Sequence, residues 1–369
     1  MSRLFVFLFI LTPVVLAQVR VDTVKHHSTF LQHEQAFLAI VPEGIGPWPV
    51  LYLLHGAGGN YTNWAEATDL LAYAEDFNML IITPDGGKLS WYLDSPFVET
   101  SQYESYMVNE LLPFVDSTYT TRSDRQSRGI AGLSMGGHGA ISLACKYPEL
   151  FGSASSLSGV MDIVQLAPVG AVWNLDQLLG PYNEYPGNWR ANSCYYLVPR
   201  LQSRDVKLLL DCGLQDIFGL YIQARAFQAR CDSLGIACDY NEYPGGHTWD
   251  YWDAHIYEHL VFHNQAFTNT GIRHRQDVSQ KNLSVFPNPF NSRMTLNFNL
   301  QTSGNIRVDV FDLRGRRIAR LWDGPVSAGA LQLRWNAVSD AGVPVASGLY
   351  MLRLQTPETI LTTKVIYAR

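Results

Sequence analysis

The chain has 369 residues, long for one domain and comfortable for two. Its formal net charge is −6, and it has no basic run or arginine-rich face, so nucleic acid is not an expected partner. Aromatic residues make up 12% of it, which suits carbohydrate or aryl-group binding and equally a well-packed core, so composition excludes more than it selects.

Met1-Ser2-Arg3 is positively charged, Leu4 to Leu16 is almost entirely apolar, and Val15-Leu16-Ala17 offers small residues for cleavage. This reads as a secretory signal peptide, residues 1–17, cut after Ala17. The apolar run is too short to span a bilayer comfortably, and no later segment is long and apolar enough. An exported, soluble mature protein is expected.

From residue 18 to 267 strands and helices alternate. Phe37–Val41 and Pro49–Leu54 read as strands, the second a continuous apolar run of the kind buried on both faces. The glycine-rich Leu54-His55-Gly56-Ala57-Gly58-Gly59-Asn60 follows it; this loop lacks the P-loop spelling, so nucleotide binding is disfavoured. Met79–Thr83 is a further buried strand ended by Pro84-Asp85-Gly86-Gly87, and a helix is expected around Tyr103 to Val115. Val206–Leu210 and Ile236–Tyr243 are the last two strands, separated by a helix from about Leu220 to Leu234 that stops at Gly235. Such alternation predicts an α/β domain with a mainly parallel sheet covered by helices on both faces.

The most informative segment is Arg128–Gly139. It reads as a short apolar strand, a sharp glycine-flanked turn and a helix that stops before Pro148. Gly132-Leu133-Ser134-Met135-Gly136 fits the nucleophile-elbow pattern, in which a serine sits on a strained turn with its hydroxyl exposed. An ordinary glycine-rich turn could share the pentapeptide, but the strand-turn-helix context favours a nucleophile. A serine hydroxyl needs a base and a group that orients the base, here in the chain order Ser, Asp or Glu, His. After Val206–Leu210 comes Asp211-Cys212-Gly213-Leu214-Gln215-Asp216, and after Ile236–Tyr243 comes Pro244-Gly245-Gly246-His247. Asp216, further from the strand end than Asp211, is the preferred acid; a helix N-cap is its rival reading. The amide following the nucleophile, that of Met135, and one amide of the loop after Leu54 are the expected oxyanion-hole donors.

Nine other histidines are set aside. His26, His27 and His33 are read as preceding the sheet, His274 as linker, and His55 and His138 as local structural residues. His255, His259 and His263 form an i, i+4, i+8 row on the final helix. Although His255-Ile256-Tyr257-Glu258-His259 spells a zinc-peptidase motif, the row is read as a solvated or packed face, with no metal expected. Five cysteines remain, an odd number for an oxidising compartment; a local disulfide between Cys231 and Cys238 is left open against two buried thiols.

Residues 268–282 are polar and aperiodic and read as a linker. From 283 to 369 the pattern turns all-β, with strands expected at Met294–Leu300, Ile306–Phe311, Arg317–Leu321, Leu331–Trp335, Leu349–Leu354 and Thr362–Tyr367. Turn signals at Pro287-Asn288-Pro289, Arg314-Gly315 and Asp340-Ala341-Gly342 separate them, predicting a small β-sandwich.

Together, Leu54–Gly59 with Trp64, Gly132–Gly137, Asp211-Cys212-Gly213 with Asp216, and Pro244–His247 with Trp249 and Trp252 resemble the esterase D family of α/β-hydrolases. That family includes S-formylglutathione hydrolases, mycolyltransferases, and feruloyl and acetyl xylan esterases. The resemblance implies Ser134 as nucleophile, His247 as base, Asp216 as its orienter, and the amides of Ala57 and Met135 as the oxyanion hole. Trp91 and Tyr92 resemble acyl- or sugar-pocket residues of the family, and Trp249 is taken with them as a candidate substrate contact. Phe286–Asn291, Val310–Gly315 and Ala346–Tyr350 resemble the Ig-like C-terminal sorting domains of type IX secretion substrates, implying the secretion machinery as a partner. A carbohydrate-binding or spacer module is the alternative for this tail. The expectation is an exported serine esterase needing no cofactor and acting on acetyl or feruloyl decorations of polysaccharide. Acyl transfer, hydrolysis of a siderophore ester, and a surface binding module with an inert hydrolase domain are the other readings.

Overall fold

The structure is a computed structural model and describes residues 19–268, 283–288, 290–300, 303–312, 316–356 and 360–368. The expected signal peptide, the expected linker beyond Thr268, and the turn residues Pro289, Arg314 and Gly315 lie outside the described residues. The chain divides into two compact units that part between Ile272 and Arg273.

In the first unit, β1 (Arg20–Ser28), β2 (His33–Val41), β3 (Val50–Leu54), β4 (Leu80–Pro84), β5 (Arg128–Leu133), β6 (Ser153–Leu157), β7 (Lys207–Gly213) and β8 (Cys238–Tyr243) form one sheet. Their order is β1-β2-β4-β3-β5-β6-β7-β8. Strands β4 to β8 pair parallel, whereas β1 and β2 add an antiparallel edge. His26, His27 and His33, expected ahead of the sheet, therefore lie in it.

Strand β3 shows why the apolar runs form the centre. Val50, Tyr52 and Leu54 pack into one core, and Leu51 and Leu53 into another on the opposite face. Side chains alternate across a strand, so a strand with helices on both sides must be apolar throughout. Helix Met135–Lys146 covers the first face, and Trp252, Ile256 and Leu260 of helix Trp249–Thr268 cover the second. The expected helix near Tyr103 is a composite: Tyr103–Ser105, a π-helical Tyr106–Leu111, and Leu112–Thr118. All five cysteines are buried and free, so the Cys231–Cys238 pairing is not made.

The second unit has two antiparallel sheets. One joins β9 (Ser284–Phe286), β10 (Met294–Leu300) and β13 (Gly329–Trp335). The other joins β11 (Gly304–Phe311), β12 (Arg317–Val326), β14 (Gly348–Gln355) and β15 (Ile360–Tyr367). Both feed one core, where Leu296 and Phe298 from the first sheet meet Val308, Leu352 and Val365 from the second. The Asn288 side chain ties to β15, donating to Lys364 O at 2.9 Å and accepting from Ile366 N at 2.7 Å.

What positions the site is the approach of helix Met135–Lys146 to the end of β3. A Cβ on Gly136 would lie 2.5 Å from His55 O and 2.6 Å from Leu54 O, both backbone atoms that cannot swing aside. Gly136→Ala should therefore destabilise the protein by about 1–3 kcal/mol, read as a lower melting temperature. An unchanged melting temperature would show that this contact is looser than described.

Candidate active site

Ser134 sits between the last residue of β5 and the first turn of its helix, at φ 53° and ψ −116°. A non-glycine residue at positive φ is strained, and such strain persists only where surrounding packing enforces it. Here the enforcement is visible. A Cβ on Gly132 would lie 2.5 Å from Gly136 C, and one on Gly56 would lie 2.5 Å from Leu133 Cδ1. The strand and the helix can approach this closely only because Gly132 lacks a side chain, and Gly56 lets the loop after β3 lie against the Leu133 side chain.

The structure brings the three expected residues into one chain of hydrogen bonds. The Ser134 hydroxyl lies 3.0 Å from His247 Nε2, and His247 Nδ1 lies 2.7 Å from Asp216 Oδ2. With Nδ1 donating to the carboxylate, Nε2 is left to accept from the serine; this tautomer is assigned from the network. The second oxygen, Asp216 Oδ1, accepts from Phe218 N at 2.9 Å. Burial alone would raise the pKa of Asp216. The hydrogen bond and charge of His247, with the Phe218 and Leu220 amides, outweigh it and hold the pKa below the usual carboxylate value. Cys212 Sγ also lies 3.8 Å from Asp216 Oδ2. The imidazole is held between two rings, Trp252 at 5.0 Å and Phe218 at 4.9 Å, both edge to face.

Met135 opens the helix, where first-turn amides have no intrahelical acceptor. Ala57 is exposed and follows Gly56, whose position packs against Leu133 and Ser134. His55 braces this loop. Its Nδ1 donates to Gly56 O at 2.8 Å, and its Nε2 accepts from Gly86 N at 2.9 Å. Trp64 anchors the same strand end through Nε1–H to Leu54 O at 3.0 Å.

Trp91 and Tyr92 lie inside the core, and Trp249 lies nearer the surface. Trp91 and Tyr92 both turn inward at positive φ, 57° and 53°, and are buried. Trp91 donates to Trp173 O at 2.8 Å, and Tyr92 donates to His55 O at 3.1 Å. Tyr92 fills the groove left by Gly139, where a Cβ would meet its ring at 2.6 Å. The two rings support the elbow helix from inside the core. Trp249 is half-buried and one ring removed from the histidine, edge to face with Trp252 at 5.2 Å.

Asp211 belongs to a second, separate buried pair. It accepts from His259 Nε2 at 2.8 Å and from the Tyr251 hydroxyl at 3.1 Å. His263 bridges Ser153 Oγ and Ser155 Oγ at 2.8 Å each, and burial pushes its pKa well down. His255 stacks on Tyr243 at 4.1 Å. The histidine row is thus a packed face, and no group that could hold a metal ion occurs among the described residues. Phe218 and Trp173, which flank the site, carry no sequence signal beyond being aromatic.

The depressed Asp216 pKa has a consequence for stability. A carboxylate with a lowered folded pKa stabilises the protein above its unfolded pKa and stops doing so as pH falls through the folded value. The stability gap between the parent and Asp216→Asn should therefore narrow from about pH 6 to about pH 3 in chemical denaturation. A gap that stays constant or widens on acidification would contradict this.

Residues 28–263 match the family described as "Putative esterase", and residues 284–368 match the secretion system C-terminal sorting domain. An acetyl esterase of Caldicellulosiruptor saccharolyticus is 29% identical over 215 residues, covering 56% of this chain and 79% of the relative. A diacylglycerol acyltransferase/mycolyltransferase of Mycobacterium avium is 26% identical over 242 residues, covering 56% and 72%. A solved ferulic acid esterase superposes with a TM-score of 0.58 at 27% identity, over 68% of this chain and 99% of its own. The C-terminal sorting domain marks the protein as secreted or attached to the cell surface. The chain belongs to the esterase family and is a carboxylic ester hydrolase.

Proposed function

We propose that the protein is an exported serine esterase working through Ser134, His247 and Asp216. The observation that carries this reading is the Ser134–His247–Asp216 hydrogen-bond chain, at 3.0 Å and 2.7 Å. In this mechanism His247 Nε2 takes the serine proton as Oγ attacks the ester carbonyl. The tetrahedral oxyanion is held by the amides of Ala57 and Met135, and losing one such donor typically costs about 3–4 kcal/mol. His247 returns the proton to the departing alkoxide, leaving an acyl-enzyme, which water activated by the same imidazole then hydrolyses. Asp216 holds the imidazole in the required tautomer and stabilises its protonated form. No cofactor enters these steps.

Export disfavours glutathione thioesters, which are intracellular, and favours acyl decorations on extracellular polysaccharide. The acetyl esterase and ferulic acid esterase relatives point the same way. The mycolyltransferase relative supports a second reading, in which an alcohol replaces water in the last step. We also read residues 1–17 as a signal peptide and 283–369 as the segment that engages the secretion machinery.

The test is a panel of p-nitrophenyl acetate, methyl ferulate and acetylated xylan, each run with the parent and Ser134→Ala. Substitution should lower kcat by at least about 10³-fold on every accepted ester. Turnover that survives it would contradict the mechanism, and added alcohol converted to new ester in preference to acid would favour transfer.

A further inference from the structure

Several large apolar side chains in the two segments that carry Phe218 and Trp173 are left in water. Ile217 is 79% exposed, Phe218 50%, Ile222 58% and Val172 71%. They come from two segments far apart in sequence. One is the turn Ile217–Gly219 that leads from Asp216 into helix Leu220–Ser233, whose first turn carries Ile222. The other precedes helix Leu175–Leu179. The two segments meet through Trp173 and Phe218, whose rings pack edge to face at 5.7 Å. Phe218 in turn packs edge to face on the His247 ring at 4.9 Å. Ring contact therefore runs from the base through Phe218 to Trp173, and Phe218 is itself half exposed.

Part of this surface already has a role: the Phe218 ring flanks His247, and Trp173 packs partly on the core. Phe218 nevertheless stays half exposed, and Val172, Ile217 and Ile222 stay mostly in water, so apolar area is left over beyond those contacts. The exposed apolar area gains free energy only when something covers it. The group brought next to His247 in each turnover is the substrate, because the imidazole must reach both the serine and the departing oxygen.

We propose that Trp173 and Phe218, extended by Val172, Ile217 and Ile222, form a substrate wall that takes an apolar alkyl or aryl group of the ester. This rests on the serine-esterase reading above. It makes Phe218 and Trp173 specificity-determining residues, and it predicts that the enzyme discriminates among esters by apolar contact. The apolar group can belong to the acyl or to the alcohol part of the ester, and the chemistry of the wall is the same for both.

The experiment is kcat/KM across two series on the full mature protein: p-nitrophenyl esters from acetate to decanoate, and acetate esters from methyl to naphthyl. The parent, Phe218→Ala, Phe218→Leu, Trp173→Ala and Ser134→Ala are compared. In the parent, at least one series should rise with apolar size. In Phe218→Ala and Trp173→Ala the ratio of the largest to the smallest ester of that series should fall by roughly 10-fold or more. Phe218→Leu, which keeps an apolar side chain there, should recover part of it. The series that responds identifies which side of the ester meets the wall. A flat parent profile, or ratios unmoved in both alanine variants, would overturn the proposal. So would a change in oligomeric state on Phe218→Ala with unmoved ratios, which would assign the patch to contact between copies. Turnover that survives Ser134→Ala, or its absence for every ester in the parent, would instead remove the serine-esterase reading, and the wall with it.

Discussion

The site depends on a backbone-to-backbone contact. Helix Met135–Lys146 lies so close to the end of β3 that Gly132 and Gly136 have no room for a Cβ. This approach holds Ser134 at φ 53°, with its hydroxyl 3.0 Å from His247 Nε2. A strained residue of this kind costs on the order of 1–3 kcal/mol. The packing around it is large enough to impose that cost. Ile130, Leu133, Met135 and Ile141 are buried, and each such side chain contributes roughly 1.5–3 kcal/mol. The core thus supplies the constraint, and the serine receives its orientation from it.

The other members of the constellation are held the same way, by groups that do not react. Asp216 is oriented by amides at the start of its helix, His247 by two rings, and the loop after β3 by His55 and Trp64. Tyr92 fills the groove that Gly139 leaves on the elbow helix.

Much of this was legible in the sequence because the site is built at strand ends. Ser134 and Asp216 follow apolar strands, and His247 follows the alternating strand Cys238–Tyr243, in the expected order, although the strand before Asp216 runs on to Gly213 rather than ending at Leu210. Strand β6 was not legible: Ser153-Ala154-Ser155-Ser156-Leu157 lacks an apolar run, and two of its serines are satisfied by His263 from a helix 108 or more residues away. Nor was β1, an edge strand whose alternating exposure leaves few apolar residues to mark it. The inward turn of Trp91 and Tyr92 depends on positive φ values that nothing in the local sequence announces. The wall beside His247 joins Trp173 to Phe218 across 45 residues, a contact only the folded chain creates.

The central claim is that this strained turn makes one hydroxyl uniquely nucleophilic. Its most direct test is to treat the folded protein with a fluorophosphonate, digest it, and locate the adduct by mass spectrometry. The account predicts one phosphonyl group per chain, on Ser134, and none after denaturation before treatment. Labelling at another residue, or none on the folded protein, would contradict it.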